Sequence, residues 1–359
     1  MLFARLFKFI VFLAFGINLL LLLLALSARY IDPKYFWPPS LFGLFFRVFL
    51  VAHLFFILIF LIGRKRRLIW ISSIALVMCL PAILHTFALR PFSMRKEGEH
   101  TLKLMTYNVN DFNMFQDTAT SGLIGRTMKK ENPDIVCFQE YSNQGKKAQI
   151  IPVMLSLGYK YYYEYVTEEY GQDYKVGQAI FSKIPFINVQ PIPFHTTANG
   201  AFSADFPIGK DTVRLFNIHF QSITLREHEM KIPTSLNDFK PPQKYYYRML
   251  FVKMMWAFRK RSFQALKVRE YMDRCKYKMI VCGDFNDTPL SFTYRQMTEK
   301  LGDSFLRSNF GMGSTFGGRV PLQRIDYILT DPAIETGLTR VVHCQGSDHF
   351  PVVTSFWLN

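Results

Sequence analysis

The sequence predicts an α/β protein in which three transmembrane helices precede one soluble domain built from two packed sheets and outer helices. Three apolar runs near the N-terminus each approach the roughly 20 residues needed to cross the hydrocarbon core of a bilayer. From residue 101 onward, short strand-like runs alternate with helical stretches, and several of these runs are apolar without interruption. Such runs are typical of strands that are covered on both faces. The 359-residue chain is therefore predicted to divide into a membrane domain, residues 1–95, and a second domain, residues 98–359.

The membrane domain is predicted to contain helices over residues 9–28, 41–63 and 68–89. A cleaved signal peptide has a shorter apolar core and a small-residue cleavage site, which this sequence does not show. The loop Arg64–Arg67, "RKRR", lies between the second and third helices and favours the cytoplasmic side. Three crossings then place the second domain on the far side. We therefore expect a multi-pass protein of the cell (inner) membrane with an extracytoplasmic, periplasmic domain.

The net charge of +16 is concentrated in two parts of the chain. Residues 1–95 hold 11 Lys and Arg and one acid, and residues 222–276 hold 13 Lys and Arg and five acids, whereas the remainder nets −2. This distribution argues against a uniformly cationic nucleic-acid-binding protein. Among the five cysteines, Cys137 and Cys282 lie in strand-like runs and are predicted to be buried. Whether Cys275 and Cys344 form a disulfide stays open.

An insertion at residues 222–260 interrupts the pattern of strands. Its first half is polar and contains prolines, and its second half reads "YYYRMLFVKMMWAFRKR". Aromatic and apolar side chains mixed with Arg and Lys suit a helix that lies in a membrane interface. A helix packed on the second domain, with its cations in solvent, explains the same composition, and both interpretations stay open. The linker from Arg90 to Thr101 is short, so the second domain is expected close to the bilayer in either case.

The second domain is predicted to contain seven main strands and at least two helices. The strand-like runs are residues 101–109, 134–141, 176–182, 212–220, 278–286, 324–330 and 351–358. The helical stretches are residues 124–130 and 262–274. No internal repeat or low-complexity tract interrupts this order, and the length suits a single domain with two packed sheets.

Polar side chains recur at the ends of these runs. They are Asn108, Gln139, Glu140, Asn217, His219, Asp284, Asn286, Asp326, Asp348 and His349. Because a buried carboxylate is costly unless it is paired or binds a metal, this repetition predicts one shared site. Carboxylate and carboxamide oxygens suit Mg²⁺, and the sequence has no Cys/His cluster at the spacing of a zinc site. The chemistry that fits is phosphoester hydrolysis assisted by a hard cation.

The ordered set of motifs resembles the endonuclease/exonuclease/phosphatase superfamily. The motifs are Asn108, Gln139-Glu140, Asn217-x-His219, Gly283-Asp284-x-Asn286, Arg324-x-Asp326-Tyr327 and Ser347-Asp348-His349. This superfamily includes pancreatic-type deoxyribonuclease, apurinic endonucleases, neutral sphingomyelinases and inositol polyphosphate phosphatases, and similar membrane-anchored proteins occur in bacteria. The resemblance runs from about Thr101 to the C-terminus. It implies a four-layered α/β sandwich, with two mixed sheets flanked by helices and a site at one edge of the sheets.

The resemblance also implies a metal site and an activated water. Glu140 would be the main ligand of Mg²⁺, or of Mn²⁺ in its place. Asn108 and Asp348 would support the metal. Asp284 would orient or deprotonate the attacking water.

Further residues are assigned by the same resemblance to the substrate phosphate. Asn286 and His349 would contact the phosphate, and Asp326 would hold the ring of His349. Asn217 is assigned to substrate binding. His219 would face the scissile phosphate, and a histidine at this position argues against the apurinic branch, whose members have a tyrosine there.

Three functions follow from this set of residues. The first is a membrane-tethered phosphodiesterase or phosphatase whose substrate is a lipid head group or another phosphate ester near the bilayer. The second is a magnesium-dependent nuclease held at the surface, which would use the basic insertion to bind nucleic acid. The third is a non-catalytic binding protein on the same fold. The loops that select the substrate within the superfamily have no match in this sequence, so the substrate itself stays open.

Overall fold

The computed structural model describes residues 2–90, 101–113, 119–142, 150–170, 174–194, 199–223, 241–318 and 323–358. The predicted domain boundary, between residues 95 and 98, lies outside these ranges. The helices are α1 Leu2–Ser27, α2 Pro38–Leu44, α3 Phe46–Ile62, α4 Arg66–Thr86, α5 Ala119–Glu131, α6 Ile150–Ser156, α7 Pro241–Asp273, α8 Phe292–Thr298 and α9 Ser304–Ser308, with a 3₁₀ turn at Asn110–Asn113. The strands are β1 Ala88–Leu89, β2 Leu102–Asn108, β3 Ile135–Ser142, β4 Tyr161–Tyr170, β5 Tyr174–Ser182, β6 Ile187–Pro193, β7 Gly200–Ile208, β8 Asp211–His219, β9 Lys278–Asp284, β10 Gly302–Asp303, β11 Phe310–Gly311, β12 Asp326–Thr330, β13 Ile334–Thr336, β14 Arg340–Val341 and β15 Val352–Leu358.

Two mixed sheets form the centre of the second domain. One has the strand order β10-β12-β9-β8-β7-β6, and the other has the order β13-β15-β2-β3-β5-β4, with β14 paired to β15. Each sheet contains one parallel pair, β8 with β9 and β2 with β3, among antiparallel neighbours. The predicted α/β class and the arrangement of two mixed sheets with helices are therefore confirmed.

Successive side chains along the strands point to opposite faces and pack into two separate cores. On β3, Ile135 and Cys137 point into the core between the two sheets. Val136 and Phe138 point the other way and pack in the core that includes Ile124 of α5 and residues of α6. Because both faces of the strand are covered, its sequence is apolar without interruption, as predicted. Every cysteine in the chain is a free thiol, including the pair Cys275 and Cys344 whose state the sequence left open.

The seven predicted strands are all present, but the sequence missed three long ones. These are β4, β6 and β7. Strand β6 lies at the edge of its sheet and contains Pro191 and Pro193. Proline is tolerated on an edge strand because it removes a donor that a central strand would need. Polar and proline-containing edge strands therefore lack the apolar run by which the others were recognised.

Two apolar helices are long enough to span a membrane within the described residues. They are Arg5–Ser27 and Arg66–Thr86, and they match the first and third predicted spans. The second predicted span, residues 41–63, is not one straight helix, because α2 and α3 form a pair bent by 67° at Phe45. By length and composition, two helices of the described residues could cross a membrane, or three if the bent pair counts as one span.

A buried histidine connects the three long apolar helices. His53 on α3 is fully buried, with its Nδ1 3.2 Å from Oδ1 of Asn18 on α1. Its Nε2 lies 3.0 Å from the backbone oxygen of Ser72 on α4. Polar side chains between apolar helices commonly hydrogen-bond across the helix interface. The contacts of His53 therefore indicate that α1, α3 and α4 pack as one bundle.

The chain separates into two compact units. The first contains residues 1–86 and also Ser222–Phe263 and Thr288–Arg295, and the second contains the two sheets. Residues 224–240, the polar half of the insertion, lie outside the described residues. The aromatic and basic half forms α7, which is continuous with the predicted helix at 262–274 and gives one helix of 33 residues.

Arg29 holds the segment Thr288–Arg295 within the first unit. Its side chain is 8% exposed, and its Nη1 donates a hydrogen bond of 2.6 Å to the backbone oxygen of Pro289. The guanidinium group also lies over the ring of Tyr294, 5.7 Å from its centroid. No local sequence pattern indicates the hydrogen bond between Arg29 and Pro289, because the two residues are 260 positions apart.

Arg29→Ala is expected to lower the free energy of unfolding by about 2 kcal/mol, the usual contribution of a hydrogen bond from a charged group. The reason is that the buried oxygen of Pro289 loses its donor. Thermal unfolding of the full chain in detergent would measure the loss as a lower Tm. Arg5→Ala, which removes an exposed arginine of α1, is the matched control. Equal Tm values for the two variants would contradict the proposed contribution of Arg29.

Candidate active site

Strand direction gathers the predicted residues at one edge of both sheets. Strands β2, β3, β8 and β9 end at this edge. Asn108, His219 and Asp284 are the last residues of β2, β8 and β9, and Glu140 lies two residues before the end of β3. Strand β12 is antiparallel to β9 and begins at the same edge, so that Asp326 pairs directly with Asp284. Asp326 therefore begins its strand, whereas the sequence had placed it at a strand end. The first residue of β12 lies at the same edge as the last residue of β9, because the two strands run in opposite directions.

Asp284 lies at the centre of the cluster and is fully buried. Its Oδ2 accepts a hydrogen bond of 2.9 Å from Nδ2 of Asn108, which belongs to the other sheet. The same amide nitrogen of Asn108 lies 3.1 Å from Oε1 of Glu140. Asn108 thus joins the two carboxylates, while its oxygen accepts a bond from the backbone N–H of Asn110.

Two histidines lie on either side of Asp284. The Nε2 atoms of His219 and His349 are each 3.8 Å from Oδ2 of Asp284. His219 Nε2 is also 3.4 Å from Oε1 of Glu140. His349 Nδ1 is 3.0 Å from Oδ2 of Asp326, the contact that the family resemblance implied. Carboxylates and imidazoles therefore alternate through the site.

Three residues of the site have unusual backbone conformations. Glu140 has φ of 47° and lies at a register shift between Gln139 and Tyr141 where β3 pairs with β5. A β-bulge of this kind changes the direction in which a side chain points, and here it directs the side chain of Glu140 into the site. Asn286 has φ of 51°, and Gly283 has φ of 135°. A Cβ atom on Gly283 would lie 2.0 Å from the backbone oxygen of Ile218, so only glycine fits there.

The turn after β9 separates functional and structural side chains. The backbone N–H of Asn286 donates a hydrogen bond of 2.7 Å to Oδ1 of Asp284. The amide nitrogen of Asn286 donates to the backbone oxygen of Phe220 at 3.0 Å. Phe285 is fully buried, with its ring centroid 4.8 Å from that of Tyr327. Phe285 therefore packs into the core, away from its two polar neighbours.

Asn217 has the contacts of a structural residue. It is fully buried on β8, and its amide nitrogen donates to the backbone oxygens of Phe138 and Ala179 in the other sheet, each at 3.1 Å. Its side-chain oxygen accepts a hydrogen bond of 2.7 Å from Gln139. Both ends of the amide are therefore engaged between the sheets. The expectation that Asn217 binds substrate stays a prediction, and in this structure its amide contacts only groups between the sheets in the contacts described above.

Asp348 lies at the rim of the site. Its Oδ1 accepts a hydrogen bond of 2.9 Å from Nδ2 of Asn110. Sequence reasoning missed Asn110, and it also missed Asn199, whose amide nitrogen lies 3.3 Å from Nε2 of His219. Neither residue lies in a recognised motif. The only sequence signal was the position of Asn110 two residues after Asn108.

The pKa values of the two carboxylates Asp284 and Glu140 are shifted in opposite directions. Burial raises the pKa of Asp284 to about 6, and repulsion from Asp326 adds to the effect. Burial acts in the same direction on Glu140, but the hydrogen bonds from His219 and Asn108 and the charges of His219 and His349 together outweigh it and lower the pKa to about 2. Burial opposes protonation of His349, yet the charges of Asp326 and Asp284 outweigh it and raise the pKa to about 10. At neutral pH, His349 is therefore a cation and Glu140 an anion.

Two overlapping groups in the site have the geometry to hold a metal ion. Glu140, His219 and Asp284 form one, and Asp284, Asp326 and His349 form the other, with ligand atoms within 4.8 Å of one another in each group. Carboxylate oxygens are the ligands that hard divalent cations prefer. The donor set therefore fits a divalent cation, with Glu140 as a carboxylate ligand.

Comparison with known families agrees with this geometry. The model of the Endonuclease/Exonuclease/phosphatase family matches residues 105–349, so the chain belongs to that family. Members of the superfamily are divalent-metal-dependent hydrolases that act on phosphoester bonds. A second model, described as Domain of unknown function (DUF8431), matches residues 7–86. No curated protein matches the sequence.

Solved structures share the fold at low sequence identity. The human Nocturnin catalytic domain with a bound sulfate anion has a TM-score of 0.55 and 17% identity, over 76% of this chain and all of that one (100%). An endonuclease/exonuclease/phosphatase family protein from Leptotrichia buccalis C-1013-b has a TM-score of 0.51 and 14% identity, over 72% of this chain and 100% of its own. The endonuclease/exonuclease/phosphatase from Beutenbergia cavernae DSM 12333 has a TM-score of 0.50 and 18% identity, over 73% of this chain and 72% of that one.

Asp326→Asn is expected to lower the pKa of His349, because the carboxylate that most strongly favours the charged ring is removed. Histidine NMR signals of the full chain, titrated in the presence of a chelator, would measure the shift, and His349→Gln would assign the signal. Asp331→Asn, at the other end of β12, is the matched control and should leave the titration unchanged. An unchanged titration in Asp326→Asn would show that the carboxylate does not set the charge of this ring.

Proposed function

We propose that the protein is a membrane-anchored phosphoesterase that depends on a divalent cation, Mg²⁺ or Mn²⁺, and acts outside the cytoplasm. The observation that carries the proposal is the convergence of two carboxylates, Glu140 and Asp284, with two histidines at the shared edge of the sheets. This arrangement provides a base, a cationic donor and oxygen ligands within one site. A non-catalytic binding protein would need no such balance of buried charges.

The residues of the site have different proposed roles in hydrolysis. Asp284, with a pKa raised towards neutrality, suits a general base that holds the attacking water and accepts its proton. His349, held cationic by Asp326, donates a hydrogen bond to a phosphoryl oxygen as negative charge develops there. His219, whose Nε2 is also 3.8 Å from Oδ2 of Asp284, is the second imidazole that would face the phosphate, and Asn286 is proposed to contact it as well. A divalent cation held by Glu140, with support from Asn108 and Asp348, would add positive charge next to the phosphoryl oxygens.

A lipid head group is the substrate class we favour. The support is the pair of apolar helices Arg5–Ser27 and Arg66–Thr86, which would keep the second unit near a bilayer. A surface-held nuclease is the alternative, supported by the concentration of positive charge at residues 222–276. Salt separates the two, because binding of nucleic acid weakens steeply as the salt concentration rises. The full chain, assayed with Mg²⁺ against phospholipids, single-stranded DNA and phosphate monoesters, would assign the substrate.

Glu140→Gln is expected to lower turnover by about a hundredfold or more, within the range for loss of an important electrostatic contact in a transition state. The change keeps the size of the side chain and removes the charge proposed to hold the cation. Turnover of the full chain at saturating Mg²⁺ would measure the effect. Glu299→Gln, an exposed glutamate paired with Arg269, is the matched control. Near-normal turnover of Glu140→Gln, or full activity in excess chelator, would refute the metal site.

The proposed orientation places Arg64–Arg67 in the cytoplasm and the C-terminus outside. A C-terminal fusion should therefore be active with alkaline phosphatase and dark with a fluorescent protein that folds only in the cytoplasm. Fusions made after Lys65 should give the opposite result and serve as the control. A fluorescent, phosphatase-negative C-terminal fusion would reverse the orientation and with it the extracytoplasmic substrate.

A further inference from the structure

Helix α7 has an exposed apolar stripe on the side opposite its buried side. With about 100° per residue, Val252, Trp256 and Phe263 fall within about 40° of one another, and roughly opposite Phe258 and Arg261. Trp256 is 54% exposed, Phe263 57% and Val252 39%, whereas Phe258 and Arg261 are each 1% exposed. A helix packed on a soluble domain has polar side chains opposite its buried face. In α7 that position holds aromatic and aliphatic groups instead.

Cations border the stripe on both sides. Arg248 and Arg259 lie along one border, and Lys253 and Lys260 lie along the other, at positions set by the same helical spacing. The helix has no carboxylate before Glu270. An apolar ridge bordered by Lys and Arg is the pattern of a helix that lies in the plane of a membrane interface, with its ridge in the acyl boundary and its cations at anionic head groups.

Contacts within the first unit fix α7 beside the end of an apolar helix. The ring of Phe251 packs edge-on against Trp37 with a centroid distance of 4.5 Å. Eleven residues further along, Ser262 Oγ donates a hydrogen bond to a carboxylate oxygen of Asp32. Both partners belong to the connection that follows α1, which ends at Ser27. The two contacts are about 16 Å apart along α7, so the helix runs alongside this connection.

We propose that the part of α7 from Val252 to Phe263 binds the surface of an anionic bilayer, with Trp256 and Phe263 inserted among the lipids. The proposal rests on the membrane anchoring proposed above, because α1 fixes the depth at which α7 lies. Nucleic acid is the less suitable partner for this face. The outermost groups are apolar and include the aliphatic Val252, whereas binding to phosphates requires the cations to be outermost.

Nitroxide labels on the full chain would test this placement without any measurement of turnover. The partly exposed cysteines would be removed by Cys275→Ser and Cys344→Ser, and Cys79 of the apolar helix α4 by Cys79→Ala, whereas the fully buried Cys137 and Cys282 would be kept. Labels would then be attached at Trp256→Cys and Phe263→Cys in vesicles of phosphatidylcholine and phosphatidylglycerol. Collision rates with oxygen, which concentrates in lipid, and with a water-soluble nickel chelate would report the surroundings of each label.

Two further labels control the measurement. Val77→Cys lies on α4 and is 69% exposed, and it reports whether the apolar helices are in the bilayer. Leu155→Cys on α6 is 48% exposed and serves as the matched apolar position in the second unit. We expect the ratio of oxygen to nickel collision rates at Trp256→Cys and Phe263→Cys to be several-fold higher than at Leu155→Cys. It should fall when phosphatidylglycerol is omitted.

The outcomes separate the inference from the proposed anchoring. If Val77→Cys is in lipid while both labels on α7 collide freely with nickel, the helix does not bind the bilayer and the inference is wrong although the anchoring holds. If Val77→Cys itself is in water, the anchoring fails and the inference fails with it. Protection of the α7 labels from nickel by single-stranded DNA, but not by lipid, would identify the face as a nucleic-acid surface instead.

Discussion

The buried carboxylate of Asp284 is the group on which the rest of the site depends. A fully buried charge is tolerated only where partners compensate for lost hydration, and here Asn108, Asn286, His219 and His349 surround it. Each partner comes from a different segment of the chain. The requirement that these segments meet at one point therefore constrains the direction of the strands, the register of the sheets and the packing of one sheet on the other.

The packing of the sheets depends on a small polar network beneath the site. Asn217 on one sheet bonds to backbone oxygens of the other, and Gln139 joins Asn217 to Thr106. Below this network the core between the sheets is apolar. The network holds together the edges from which Glu140 and Asp284 extend. It explains how a site made of residues from two sheets keeps distances of about 3 Å, the range in which hydrogen bonds form.

The apolar helices and the insertion differ from the second unit in the kind of side chain that they expose. In the second unit apolar side chains are buried, whereas in α1, α3, α4 and α7 many large apolar side chains are exposed. Buried polar groups such as His53 lie between the helices instead. Large exposed apolar surfaces of this kind mark sites of interaction with another protein or with a membrane. The segment held by Arg29 shows that the first unit also includes chain from far along the sequence.

The sequence by itself determined the α/β class, seven of the main strands and the residue types of the site. It could do so because continuous apolar runs and polar residues at their ends are local patterns. It did not determine the edge strands β4 and β6, the bend at Phe45, the place of Arg29 or the hydrogen-bond partners of Asn217. Those depend on which groups satisfy hydrogen bonds and burial across distant segments. A carboxamide such as Asn217 has the same local signal whether it binds a substrate or two backbone oxygens, and only the tertiary structure decides between them, because only there are the partners of its donors and acceptor fixed.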